Sequence, residues 1–240
     1  MHLLALVNVM RRIMPSAMIV LGCLLFSFPA PAENIPAHTQ ALLDQAPEKT
    51  KQAIVVFVPQ KEEYRAELSC FERDKNHWRQ RFPPVPALIG HGGLAKPGEK
   101  REGDGKTPQG TYALRFSFGQ ETTPPGKMPY RLMRNDDFWI DDPLSPAYNT
   151  LQRGDIGSVS AERMKLRDGT YDLGLVVEYN MAPIIPGLGS AIFVHIWKNP
   201  PEATHGCVAL EKANLKRIMA WLNPKKDPVI IISGADAEYP

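Results

Sequence analysis

The sequence predicts a mainly β fold with few helices, and three observations carry that reading. Proline (23) and glycine (18) together make about 17% of the 240 residues, against roughly 12% in an average chain. That excess means many turns and short elements. Several short runs are rich in Val, Ile and aromatic residues, the composition of strands. A single late stretch repeats apolar residues at helical spacing.

In chain order, Ala53 to Val58 (Ala-Ile-Val-Val-Phe-Val) is a β-branched strand stopped by Pro59. Ala66 to Phe71 is expected to pair with it. Pro83-Pro84-Val85-Pro86 reads as a breaker, and Ala87-Leu88-Ile89 as a short strand before Gly90-His91-Gly92-Gly93. Residues 96–109 read as a polar loop, Thr111 to Phe118 and Phe138 to Ile140 as strands, and Ser160 to Leu166 as one or two helical turns capped by Ser160. Tyr171 to Tyr179 and Ala191 to Trp197 are the strongest strands. Leu215, Ile218, Met219 and Leu222 fall at i, i+3, i+4, i+7, one face of a helix that Asn223-Pro224 ends. Pro228 to Ile232 is a last strand. No linker divides residues 51–234, which read as one catalytic-size domain, with a lead-in segment at 33–50 and a tail at 235–240.

The first 32 residues read as an export signal. Arg11 and Arg12 precede an apolar run from Ala17 to Phe28, and Ala30-Pro31-Ala32 supplies small residues for cleavage. The run is too short for a span, which needs about 20 apolar residues. The protein is thus expected to be exported, to a periplasm or cell-wall space, with membrane contact only through this segment. Those 32 residues hold two of the 28 basic residues and no acid, so the remainder carries 26 of each sign. No basic excess supports nucleic-acid binding.

Cys70 and Cys207 remain after the signal. In an oxidising compartment they form a disulfide, or at least one is kept as a thiol for chemistry. The surroundings of Cys207 favour the thiol, and Cys70 then reads as a free buried one. A strand carries His195, a turn holds Pro200-Pro201, and Thr204-His205-Gly206-Cys207 opens a second apolar segment. Positions 195 and 207 are symmetric about 201. A hairpin there would set His195 opposite Cys207 on antiparallel strands, with Cβ atoms about 4.5–5.5 Å apart. A thiolate is the reactive nucleophile, and an adjacent imidazole takes the thiol proton. Gly206 lets the chain bend so that main-chain N–H groups face a developing oxyanion, with His205 and Thr204 as further donors. No histidine follows Cys207, which disfavours a papain-like order.

Other features read as decoys. Gly105-Lys106-Thr107 has Lys100 where a phosphate loop needs glycine, and Pro108 where its helix begins. Asp141-Asp142 before Pro143 is turn chemistry. His195, His205 and Cys207 are zinc-ligand types, but no fourth ligand is indicated, so neither a metal nor an organic cofactor is expected. His91 reads as a surface-loop residue. Trp197, two residues after His195, is a substrate wall or core.

Residues 195–207 resemble the active-site signature of the YkuD-type L,D-transpeptidases: a histidine, a spacer, then Ser/Thr-x-Gly-Cys. Lys106-Thr107-Pro108-Gln109-Gly110-Thr111-Tyr112 is similar to that family's Lys-Thr-Pro-x-Gly-x-(Tyr/Phe) segment. Trp139-Ile140-Asp141-Asp142, Tyr148-Asn149 and Gly189 to Phe193 look like one secreted branch of it. The resemblance implies a β-sandwich-like domain acting on peptidoglycan stem peptides. It implies Cys207 as nucleophile, His195 as general base, and His205, Gly206 and Thr204 shaping the oxyanion and donor site. The implied reaction cuts between the third residue and D-alanine, then passes the acyl group to a stem amine or to water. Two positions depart from the pattern. The spacer between His195 and Thr204 is eight residues, shorter than usual, and Ala209 stands where many members have arginine. The rival readings are an L,D-carboxypeptidase or other hydrolase on the same scaffold, a non-catalytic wall-binding domain, and a zinc peptidase.

Overall fold

A computed structural model of the chain describes residues 35–59, 64–198 and 201–235. The first 32 residues, expected to be an export signal, and residues 236–240 of the expected tail lie outside the described residues. The elements are α1 (Ala37–Asp44), β1 (Gln52–Val58), β2 (Arg65–Asp74), β3 (His77–Leu88), β4 (Leu94–Ala95), β5 (Thr107–Pro108), β6 (Gly110–Gly119), β7 (Tyr130–Leu132), β8 (Asp137–Ile140), β9 (Leu151–Arg153), β10 (Ala161–Arg163), β11 (Leu173–Val177), β12 (Phe193–Ile196), β13 (Val208–Leu210), α2 (Lys212–Trp221), a 3-10 turn at Pro224–Lys226, and β14 (Val229–Gly234).

The fold is mainly β, as expected. The large sheet runs β11-β12-β13-β3-β2-β1-β14-β6-β7, and β11 also pairs with β6. That second pairing closes eight strands into a ring, which removes most free edges. The apolar run of β1 is continuous because both its faces are covered. Ile54, Val56 and Val58 point into the ring with Ile230, Ile232, Leu173, Leu175, Val194 and Val208. Ala53 and Val55 point outward with Val229 and Ile231, under Leu42 and Leu43 of α1. The stretch expected as a lead-in is therefore a helix seated on the sheet, held also by Trp78 Nε1 donating to Leu43 O at 3.2 Å. Helix α2 adds Leu215, Ile218 and Met219 to the inner core.

Two local expectations give way to pairing. The proline cluster 83–86 does not break the chain but lies within β3. Its partner β2 has register shifts at Leu68/Cys70 and Cys70/Phe71, and β13 meets β3 only at Leu88. Missing N–H donors are tolerated at such an edge. The segment 160–166 is not helical: Ala161–Arg163 forms β10, antiparallel to β8. Cross-strand pairing outweighs a weak capping signal.

A three-stranded sheet, β10-β8-β9, stands apart from the ring. Buried Asp137 takes two bonds from Arg153, at 2.8 and 2.9 Å, and anchors this sheet. Its Trp139 packs edge-on against Phe193 of β12, ring centroids 5.0 Å apart. Phe118, Met164, Tyr171, Val176 and Cys207 share this third apolar cluster, on the outside of the ring. The chemistry-bearing residues sit at the border between that cluster and the loops.

Candidate active site

Strand β12 alternates. Val194 and Ile196 belong to the inner core, while Phe193 faces the outer cluster, so His195 points outward by the period of two. The connection to the next strand is not a hairpin. β12 and β13 are parallel, with His195 paired to Ala209. Parallel neighbours need a crossover rather than a tight turn, and Thr204, late in the connection, is bridged to Gly90 just past the end of β3. Cys207 is two residues before Ala209, so it shares the face of His195. The two residues thus share a face diagonally across parallel strands, and the expected antiparallel hairpin is not formed. Both side chains line one cleft of about 490 Å³, with Trp197 as one wall.

The turn before Cys207 is fixed from three sides. Thr204 N–H donates to Ile89 O (2.9 Å) and Thr204 O accepts from His91 N–H (2.8 Å), stapling it to the end of β3. Thr204 Oγ1 donates to Cys207 O at 2.7 Å and accepts from Gly206 N–H at 3.1 Å. The Thr107 hydroxyl, which accepts from Gly90 N–H at 2.9 Å, also reaches Cys207 O at 3.5 Å. The Lys-Thr-Pro segment is thus the buttress of the cysteine turn. Gly206 has φ +140, and a Cβ there would lie 2.9 Å from Lys106 O. Its N–H and the Thr204 hydroxyl are both engaged within the turn. His205 is exposed, its ring edge-on to exposed His91 at 5.3 Å.

The electrostatics are those of a buried, neutral pair. His195 Nδ1 lies 2.9 Å from Ile196 O. A carbonyl only accepts, so Nδ1 carries the proton and Nε2 is left as an acceptor. Burial pushes the imidazole down to about 4, opposed by the bond to Ile196 and the nearby charge of Asp168. Cys207 Sγ lies 3.2 Å from Ala191 O and accepts from Phe193 N–H at 3.3 Å. Burial raises the thiol well above its ordinary range, and the charge of Glu162 raises it further. The resting pair is therefore thiol and imidazole, not the ionised sulfur that an exposed cysteine–histidine pair suggests. Cys70 and Cys207 are both free, and burial in the inner core pushes Cys70 up to about 12.

The cleft also contains groups that sequence spacing did not reveal. Tyr171 packs edge-on to His195, centroids 5.3 Å apart, and its hydroxyl donates to Glu162 Oε1 at 2.5 Å. Burial pushes Glu162 up to about 7, with the Tyr171 bond opposing and Asp141 and Glu102 adding to the rise. Asp142 does cap a turn, accepting from Leu144 N–H at 2.9 Å, but Asp141 lines the cleft.

Residues 51–231 match the YkuD-type L,D-transpeptidase catalytic domain. The chain belongs to that family. No curated protein matches it. Three solved structures are similar to this L,D-transpeptidase domain. Bd1075 of Bdellovibrio bacteriovorus is 19% identical, with 75% of this chain and 47% of that one covered and a TM-score of 0.38. The helical cell shape determining protein Pgp2 of Campylobacter jejuni is 14% identical, with 84% and 57% covered and a TM-score of 0.43. Its K307A mutant gives 14%, 83%, 55% and 0.41. The chain spans about half the length of each of these neighbours.

Proposed function

We propose that this domain is an exported cysteine acyl-transferase acting on peptidoglycan stem peptides. The observation that supports it best is the placement of Cys207 and His195 on one face of paired strands, at a shared cleft. Cys207 Sγ attacks the carbonyl between the third residue and D-alanine. As the C–S bond forms, the thiol proton passes to His195 Nε2. Asp168 stabilises the imidazolium electrostatically. The imidazolium returns that proton to the amine of the departing D-alanine. A stem amine, or water, then attacks the thioester, gives up its proton through His195 and releases the sulfur. The neutral resting pair fits this order, because charge separates only once substrate is in place.

The experiment uses the purified chain and a tetrapeptide stem. D-alanine release and crosslinked products are read by mass spectrometry, with Cys207→Ala alongside. Release by the wild-type chain and loss of it in the variant support the reading, and undiminished turnover in the variant refutes it. The ratio of crosslinked to hydrolysed product separates transpeptidase from carboxypeptidase. Neither product, with stems still bound, assigns a wall-binding role.

A further inference from the structure

A buried cation stands in the cleft and takes no part in the acyl-transfer steps above. Among the described residues Lys100 is the one buried lysine or arginine, 4% exposed, and it lines the cleft with Cys207. The other lysine of the lining, Lys198, is 57% exposed and pairs with Glu202 at 3.7 Å, so water screens it. Position 209, beside His195 on β13, is a buried alanine and brings no charge. The carboxyl groups of Glu102, Asp141, Glu162 and Asp168 line the same cleft, and Lys100 is the buried charge of opposite sign.

Burying an ammonium is costly unless it is paired and hydrogen-bonded. Lys100 Nζ donates to Asp104 Oδ1 at 2.6 Å and to Arg101 O at 2.7 Å. Asp104 also accepts from Arg101 N–H at 2.8 Å and Lys106 N–H at 2.9 Å. Burial works against the Asp104 carboxylate, but these bonds outweigh it and hold the carboxyl below its usual range. A glycine fixes where the amine lies. Gly189 has φ +99, and a Cβ there would sit 3.1, 3.2 and 3.3 Å from Lys100 Cγ, Cε and Nζ. The lysine stem therefore runs along the backbone at Gly189. Two residues on, Ala191 O is 3.2 Å from Cys207 Sγ, and two residues of chain span at most about 7 Å. Ammonium and sulfur thus flank one short segment, both buried, where a field is weakly screened. Burial and the charge of Glu162 oppose ionisation of Cys207, and the charge of Lys100 favours it.

We propose that Lys100 is a positioning residue for the nucleophile: its clasp with Asp104 holds a fixed positive charge beside Cys207 Sγ, which stabilises negative charge as it forms on the sulfur. This deepens the acyl-transferase reading and rests on it for the use made of the thiolate. The pair Cys207 and His195 is neutral at rest, so the sulfur gains charge only when its proton leaves, and a charge already in place costs no reorganisation at that moment. The clasp loop continues into Thr107, the buttress of the cysteine turn. A clasp that only braced that buttress would act through shape rather than charge, and the test separates the two.

Cys207 of the purified chain is alkylated at one pH with neutral iodoacetamide and with anionic iodoacetate. Each rate is divided by that reagent's rate on free cysteine, and peptide mapping separates Cys207 from Cys70. Lys100→Met keeps most of the stem's bulk and removes the charge. Its iodoacetamide rate is expected to fall about tenfold, the effect of one buried charge at this range on ionisation of the sulfur. Its iodoacetate-to-iodoacetamide ratio is expected to fall by about fivefold, because an anionic reagent loses its attraction to the site. Lys100→Arg retains the ratio, and Glu162→Gln raises it. Asp104→Asn weakens the clasp but keeps the cation, so the ratio stays at or above the wild-type value. The double variant Lys100→Met with Asp104→Asn leaves no unpaired carboxylate behind and shows the same fall as Lys100→Met, which keeps the test available if the single variant does not fold. A ratio unmoved when Lys100 is removed, or lowered as much by Asp104→Asn alone, overturns the proposal and leaves Lys100 a brace for the loop. Alkylation needs no substrate, so this outcome is read apart from D-alanine release.

Discussion

Replacing Thr204 by Val tests whether the cysteine turn is held by side-chain bonding. The change is close to isosteric and removes one hydroxyl. Two buried main-chain groups lose it: Gly206 N–H, bonded at 3.1 Å, and Cys207 O, bonded at 2.7 Å. Each buried group left without a partner costs about 1–3 kcal/mol. Cys207 O retains a long contact of 3.5 Å from Thr107, which reduces its share. The expected loss is about 2–4 kcal/mol, or roughly 5–15 °C in Tm for a domain of this size. Thermal unfolding measures it, with Thr204→Ser as the control that keeps the hydroxyl. D-alanine release is expected to fall by up to about a hundredfold, because a displacement near 1 Å at the nucleophile costs that much. A Val variant whose Tm stays within about 2 °C of wild type, or no lower than that of the Ser control, refutes the reasoning.

Three further outcomes follow from the same geometry. Gly206→Ala places a Cβ 2.9 Å from Lys106 O at φ +140, so the variant should lose about 1–3 kcal/mol in denaturant unfolding; an unchanged midpoint contradicts the strain. His195 is pushed down to about 4 from an unfolded value near 6.5, so the unfolded chain binds more protons between those values. Its contribution of about 3 kcal/mol therefore rises as pH increases through that window. Glu162, raised to about 7, has the opposite sign, since its folded form holds a proton longer and its contribution is lost as pH rises from about 4.5 to 7. Stability against pH should thus be steeper upward in Glu162→Gln and tilt downward in His195→Asn; profiles parallel to wild type in both would contradict the assignments. A carbapenem, a strained acyl donor, should add its full mass to the wild-type chain and none to Cys207→Ala, and an equal gain in both would place the reaction elsewhere.

The two residues of the proposed chemistry were legible because type and local order identify them: a histidine on a β-branched strand, then Thr-His-Gly-Cys. Their geometry was legible only in part. The symmetry of 195 and 207 about 201 suggests a hairpin, yet Thr204 is bridged to Gly90 beyond the end of β3, and β12 runs parallel to β13. Nothing between the two residues encodes that detour; it depends on Thr204 bridging to Gly90, its N–H donating to Ile89 O and its O accepting from His91 N–H. Strands buried on both faces, such as β1 and β14, announced themselves as unbroken Val and Ile. The short β10 did not, because three residues gain their conformation from β8. Asp141, Glu162, Asp168 and Tyr171 approach the cleft from three separate segments. Pairing of β10 with β8 and packing of that small sheet against Phe193 bring them together, and no spacing in the chain records it.

The sulfur's role is tested most directly by trapping the intermediate. The purified chain is mixed with a tetrapeptide stem, quenched in acid within the first turnover and digested. The account predicts a Cys207 peptide heavier by the stem less D-alanine, labile to hydroxylamine and accumulating before product. Product formed with that peptide unmodified at every time, or the adduct mapped to another residue, would contradict it.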